Sequence, residues 1–235
     1  MSLILSAHQP AYMPWLGYFD KILRADVFVF LDHVQFEKNS FINRNQIKTP
    51  LGPDWLTVPV LSKGHITSSI ASTRVDDRQP WRKKHLKTLS HNYAKAPCFG
   101  ARFGRLQGLY AVPGDSIADI CWEQLRFWLD ELGCKTRVVR SSTLETPSRK
   151  SELILDLCRH FGATRYISGS LGRDYLEEGS FARLGTSIEY QEFSHPRYAQ
   201  LHGQFVPCLS IVDAWMNTED IHGLLVTPGA VREAS

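Results

Sequence analysis

The chain has 235 residues, 43% apolar and 22% charged, close to the usual globular mix of about 45–50% and about 25%. That length suits one large domain or a main domain with an appendage, and the composition excludes a disordered or low-complexity polymer. No run approaches the roughly 18 uncharged apolar residues of a membrane span, and the opening MSLILSAHQP has no basic flank before its apolar stretch, so the chain reads as cytosolic.

The net charge is +3, but residues 1–105 carry 15 Lys/Arg against 7 Asp/Glu, whereas residues 106–235 carry 12 against 17. A basic front half suits an anionic ligand such as a phosphate or nucleotide. Part of that excess is the run Arg82, Lys83, Lys84 and Lys87, which also fits a solvated helix face. The cysteines, Cys98, Cys121, Cys134, Cys158 and Cys208, are widely spaced with no C-x-x-C pair. They read as buried thiols, and no metal site is expected.

The run 2–7 predicts a strand, Gln9 to Pro14 a Pro-rich turn, and Leu16 to Ala25 a helix. Val27 to Leu31 is a second continuous apolar run, so a β-α-β crossover and a parallel sheet are expected. Residues 32–49 read as irregular, and Trp55 to Val60 as an edge strand because of Pro59. Helices follow over 81–93, 99–109 and 116–132, the last ended by Gly133. Strand 136–140, helix 150–161, strand 165–168 and strand 188–193 complete the pattern. The whole predicts an α/β fold, a Rossmann-like parallel sheet flanked by helices, in a single domain over 1–235. Residues 80–133 read as a helical insertion or subdomain, and a loosely ordered tail starts near 227.

Four stretches look chemical. The first, His8-Gln9-Pro10-Ala11-Tyr12-Met13-Pro14-Trp15 with Lys21 beyond, sits where strand one hands over to helix one. Ligands of open parallel sheets bind at such carboxyl ends, where a helix N-terminus offers free N–H groups. His8 there is suited to meet a phosphate or move a proton; alternatively His8 and Trp15 pack the turn. The second stretch follows strand two, with Asp32, Gln35, Lys38, Asn43 and Arg44 offering donors and positive charge, or forming a solvated loop.

The third is the glycine-bearing turn Ser168, Gly169, Asp174 and Tyr175, able to bring backbone N–H groups to a nucleotide or to cap a helix. It matches neither the P-loop nor the dinucleotide fingerprint. The fourth holds His195 at the end of a strand-like run, then Ser210 and Asp213 at the spacing of a helix cap.

Together HQPAYMPWLGYFDKI, FLDHVQFEKNSFINRNQI, WLTVPV, HPRYAQ and LSIVDAWMN resemble the WbqC-like protein family over about the whole chain. That resemblance implies a bacterial protein associated with surface-polysaccharide clusters, O-antigen among them, that contain amino sugars. The front end is also similar to pantothenate synthetases and other HIGH-motif nucleotidylyltransferases, which implies ATP as a possible cofactor and activation of a carboxylate as its adenylate. The chain keeps His8 but has no second histidine in that loop and no Lys-Met-Ser-Lys-Ser signature.

The expectation is an enzyme, an acyl or aminoacyl transferase or an ATP-dependent amide-forming ligase, whose acceptor is an amine such as a nucleotide-linked amino sugar. In that scheme His8, Lys21, Asp32, Arg44 and His195 are catalytic. His8 and Lys21 meet phosphates, Arg44 with Lys38 clamps negative charge, and Asp32 or His195 deprotonates the amine. Gln9, Tyr12, Trp15, Gln35, Lys38, Asn43, Ser168, Gly169, Asp174 and Tyr175 bind substrate, Tyr12 and Trp15 by stacking. A noncatalytic scaffold and a nucleic-acid-binding module stay open as alternatives, although no nucleic-acid motif is present.

Overall fold

The computed structural model describes residues 2–61 and 68–225, so the tail expected from about 227 lies outside the described residues. Five parallel strands form the main sheet: β1 (Ile4–His8), β2 (Val27–Phe30), β5 (Arg137–Arg140), β6 (Arg165–Ser168) and β7 (Ser187–Tyr190). Their order is β5-β2-β1-β6-β7. The chain thus builds outward from β1 to one edge, then returns to add β6 on the other side. This is the α/β, Rossmann-like architecture that the sequence predicts, and its order reverses between β1 and β6.

The strands are nearly continuous apolar runs because both faces of the sheet are covered. Leu5, Ala7, Val27 and Val29 turn to one face, where they join a cluster with α5 (Lys150–Phe161) and α6 (Glu178–Leu184). Phe28 and Phe30 turn to the other face and a larger cluster. It includes α1 (Leu16–Leu23), α2 (Trp81–Tyr93), α3 (Phe99–Ala111), α4 (Ile117–Glu131) and α7 (Ile211–Asn217). The helices of 81–131 therefore share one core with α1 and α7. All seven residues of α7 are buried, which explains why IVDAWMN shows no helical alternation.

The expectation of an irregular 32–49 needs correction. Arg44–Thr49 is a strand, β3, paired antiparallel with β4 (Gly52–Thr57). RNQIKT hides this because its buried positions include polar side chains with partners of their own: Asn45 Nδ2 donates to the Met13 carbonyl at 2.7 Å, and the Lys48 ammonium to Gln200 Oε1 at 3.1 Å. The thiols also differ from expectation. Cys98, Cys121 and Cys158 are buried, but Cys208 is exposed. Among the described residues no helix is long and apolar enough to cross a membrane.

Candidate functional site

The sheet brings His8, at the end of β1, beside Ser168 and Gly169, at the end of β6, at the point where strand order reverses. Open α/β sheets bind ligands in the crevice at this position. Lys21 reaches it from α1: a side chain added to Gly169 would lie 3.9 Å from the Lys21 ammonium. The turn after β6 is itself tightly fitted, since a Cβ on Gly172 would fall 1.9 Å from Ser168 Oγ.

Charge in the crevice is set by burial. Lys21 is 3% exposed and donates no hydrogen bond among the described residues. Its pKa is lowered from 10.5 to about 7 by burial, against the pull of Asp20. His8 Nδ1 lies 2.9 Å from the Gln9 carbonyl. A carbonyl only accepts, so Nδ1 carries the proton and Nε2 presents a lone pair. Burial and then Lys21 lower the pKa of His8 to about 3, which keeps the ring neutral. With Nδ1 engaged and the ring neutral, Nε2 of His8 can accept but not donate. Its ring meets Tyr18 and Trp15 edge-on, at centroid distances of 4.8 and 5.8 Å.

A segment without helix or strand, residues 191–209, runs from β7 across α1 and fixes this corner. Gln191 Nε2 donates to the Gly17 carbonyl at 2.8 Å and to Asp20 Oδ2 at 2.6 Å. The Phe193 ring lies against Gly17, where a Cβ would come within 2.8 Å of it. Beyond Phe193, the His195 Nδ1 donates to the Pro196 carbonyl at 2.9 Å, and its buried Nε2 has no partner among the described residues. Tyr198 and Tyr93 both donate to the Asp213 carboxylate, at 2.9 and 2.8 Å, so Asp213 is a buried anchor. Ser210 caps α7 by accepting from the Val212 N–H at 3.3 Å.

The other predicted residues fall elsewhere. Asp32 is fully buried and saturated: Arg140 Nε donates at 2.6 Å, Ser141 Oγ at 3.1 Å, and the Ser142 N–H and Oγ at 2.8 Å each. Tyr12 is also buried, leaving no face for a stacked ring; its hydroxyl is hydrogen-bonded to His85 Nδ1 at 2.9 Å and to the Tyr110 hydroxyl at 2.7 Å. Asn43 is buried and donates to the Val58 carbonyl at 2.9 Å, with Oδ1 unpartnered. Arg44 stacks its guanidinium on Trp55, 4.3 Å from the ring centroid. Lys38, Gln35, Asp174 and Tyr175 are exposed, Gln35 bridging to Ser69. His8, Gln9, Lys21, Ser168 and Gly169 gather, then, with Trp15 beside them. Gln191 and Arg140 support the arrangement but were not singled out in the sequence, because their partners lie far along the chain.

Residues 9–222, from the loop after His8 through α7, match the family model described as the WbqC-like protein family. The chain belongs to that family. This WbqC-like chain is also similar to the uncharacterized protein Rv1507c of Mycobacterium tuberculosis, with 35% identity over 211 residues, covering 89% of this chain and 91% of that protein. No solved structure matches it at a significant level.

Proposed function

We propose that this WbqC-like protein is a biosynthetic enzyme whose β1–β6 crevice joins a small acyl or aminoacyl group to an amine, the acceptor being a nucleotide-linked amino sugar. The observation that carries this reading is the pairing, at the reversal of strand order, of a buried lysine of pKa about 7 with a histidine held neutral, its Nδ1 on the Gln9 carbonyl. Such a pair suits an amine acceptor, which must lose a proton as it attacks.

In the proposed step the amine nitrogen attacks the carbonyl carbon of an activated acyl group. The C–N bond forms, the bond to the leaving group breaks, and one amine proton must be taken up. His8 Nε2 accepts an N–H of the amine and orients its lone pair. Lys21 suits proton transfer near neutrality, where its two forms coexist, and as a cation it suits the charge of a phosphate leaving group. Asp32 has no lone pair to spare for the base role, since its bonds to Arg140, Ser141 and Ser142 occupy it. ATP, if it supplies the activation, would set its phosphates against Lys21. The surface-polysaccharide setting comes from the family resemblance.

The test is a mass-spectrometric search for amide product from nucleotide-linked amino sugars with carboxylic acids and ATP, or with preformed acyl donors. Product should form with wild type and fall at least about a hundredfold in His8→Ala and Lys21→Met, within the usual worth of a positioned acid–base group. Full turnover in both variants would remove the site.

A further inference from the structure

The hairpin carries a second, separate set of chemistry on its outward face. Alternation along β3 and β4 buries Asn45, Ile47 and Leu56 and turns Arg44, Gln46, Trp55 and Thr57 the other way, the same face on which Lys48 is covered by its bonds to Gln200, Gly203 and Gln204. From the crevice a row of rings leads to this face: His8 to Trp15 at 5.8 Å, Trp15 to Phe41 at 5.4 Å, Phe41 to Trp55 at 5.7 Å. Phe41 and Trp55 are 43% and 38% exposed, unusual for large rings in series. At the end of the row, along β4 and α2, lies a cleft of about 290 Å3 lined by buried Leu56, Trp81 and His85 together with Asp54, Trp55 and Lys84, so both faces of β4 border it.

We propose that this cleft is a distal subsite that holds the nucleoside end of the nucleotide-linked substrate, while the amine at the other end reaches His8. The proposal rests on the reading of the β1–β6 crevice given above. Three features select a nucleoside. Trp55 offers a flat platform, and base-on-aromatic stacking tolerates any base. The carboxylate of Asp54, the amide of Gln79 and the hydroxyls of Thr57 and Thr88 supply acceptors and donors suited to ribose hydroxyls and a base edge. Positive charge borders the platform: Lys84 in the cleft, and the Arg44 guanidinium over Trp55, where it also donates to the Asn39 carbonyl, charge that suits a diphosphate. The cleft is at the small end of ligand pockets, about 300 Å3, which suits a nucleoside. The distance from His8, three ring-to-ring steps, suits an extended molecule.

Isothermal titration of uridine 5′-diphosphate into the full chain tests this. The variants are Trp55→Ala, Lys84→Ala and His8→Ala, each checked for folding by circular dichroism. Lys84 is a surface position and keeps the test open if Trp55→Ala misfolds. Affinity about tenfold or more weaker in Trp55→Ala, weaker in Lys84→Ala, and unchanged in His8→Ala supports the subsite. Loss in His8→Ala with wild-type affinity in the two cleft variants overturns it, and leaves the nucleotide in the crevice with the proposed function intact. No binding to wild type at millimolar concentration also overturns it, while amide formation in the assay above still decides the crevice on its own.

Discussion

Tyr12 and His85, 73 residues apart, are joined by a 2.9 Å hydrogen bond between the phenol oxygen and Nδ1. His85 is bonded as well to the backbone of Thr57, and burial lowers its pKa to about 4. The turn that carries His8 is therefore tied, through its middle residue, to the helical layer and to the hairpin. Tyr12→Phe deletes one hydroxyl from a buried network and leaves His85 Nδ1 without that partner. The expected loss is about 1–3 kcal/mol, read from urea denaturation, with the β1–β6 crevice left intact because Tyr12 does not enter it.

Asp32 makes a sharper test, because the sequence suggests a base and the geometry an anchor. Its partner Arg140 also binds Asp119, at 2.8 Å. Asp32→Ala removes one carboxylate, leaves Arg140 with Asp119 and strands two serines. A loss of about 3 kcal/mol or more is expected, as for other broken buried pairs. Melting at the wild-type temperature together with abolished turnover would return Asp32 to the chemistry.

Much of the sheet was legible because its strands are short apolar runs between turn signals. The 150–161 helix is bounded as its pattern predicts, with Gly162 at φ +65° closing it. β3 was not legible, since Asn45 and Lys48 are buried on opposite faces and find partners that only the folded chain supplies. The same division holds for the site. His8, Gln9, Ser168 and Gly169 could be found because they end strands, and strand ends converge in a parallel sheet. The saturation of Asp32 and the burial of Tyr12 depend on Arg140, His85 and Tyr110, contacts between distant segments that leave no local periodicity.

Gly17 is a position where a single methyl group tests the clamp over α1. A Cβ there would meet the Phe193 ring at 2.8 Å, while the Gly17 carbonyl accepts from Gln191. Helix propensity alone would favour alanine by about 1 kcal/mol, so the sign of the effect is diagnostic. Gly17→Ala is expected to destabilise by about 1–3 kcal/mol through overpacking, and to increase proteolysis within 191–209. A stabilised variant would mean that Phe193 is not held against the helix.

Lys21 should reveal itself through pH. Its folded pKa of about 7 lies below the ordinary 10.5, so between these values the unfolded chain binds more protons and stability rises with pH. The cost of burying the ammonium is fully present below pH 7 and relieved as pH approaches 10.5. Lys21→Met has no such cost. Its gain in stability over wild type should reach a few kcal/mol below pH 7, shrink steadily above it, and be absent near pH 10.5. Binding a phosphate group adds a sign. At pH 8 the free amine is mostly neutral, and pairing with an anion pulls its pKa back up, so ATP should bind with proton uptake and weaken as pH rises. Calorimetry in two buffers of different ionisation enthalpy measures that uptake, which should vanish in Lys21→Met. Uptake that persists in the variant would assign the titration to another group and remove Lys21 from the phosphate site.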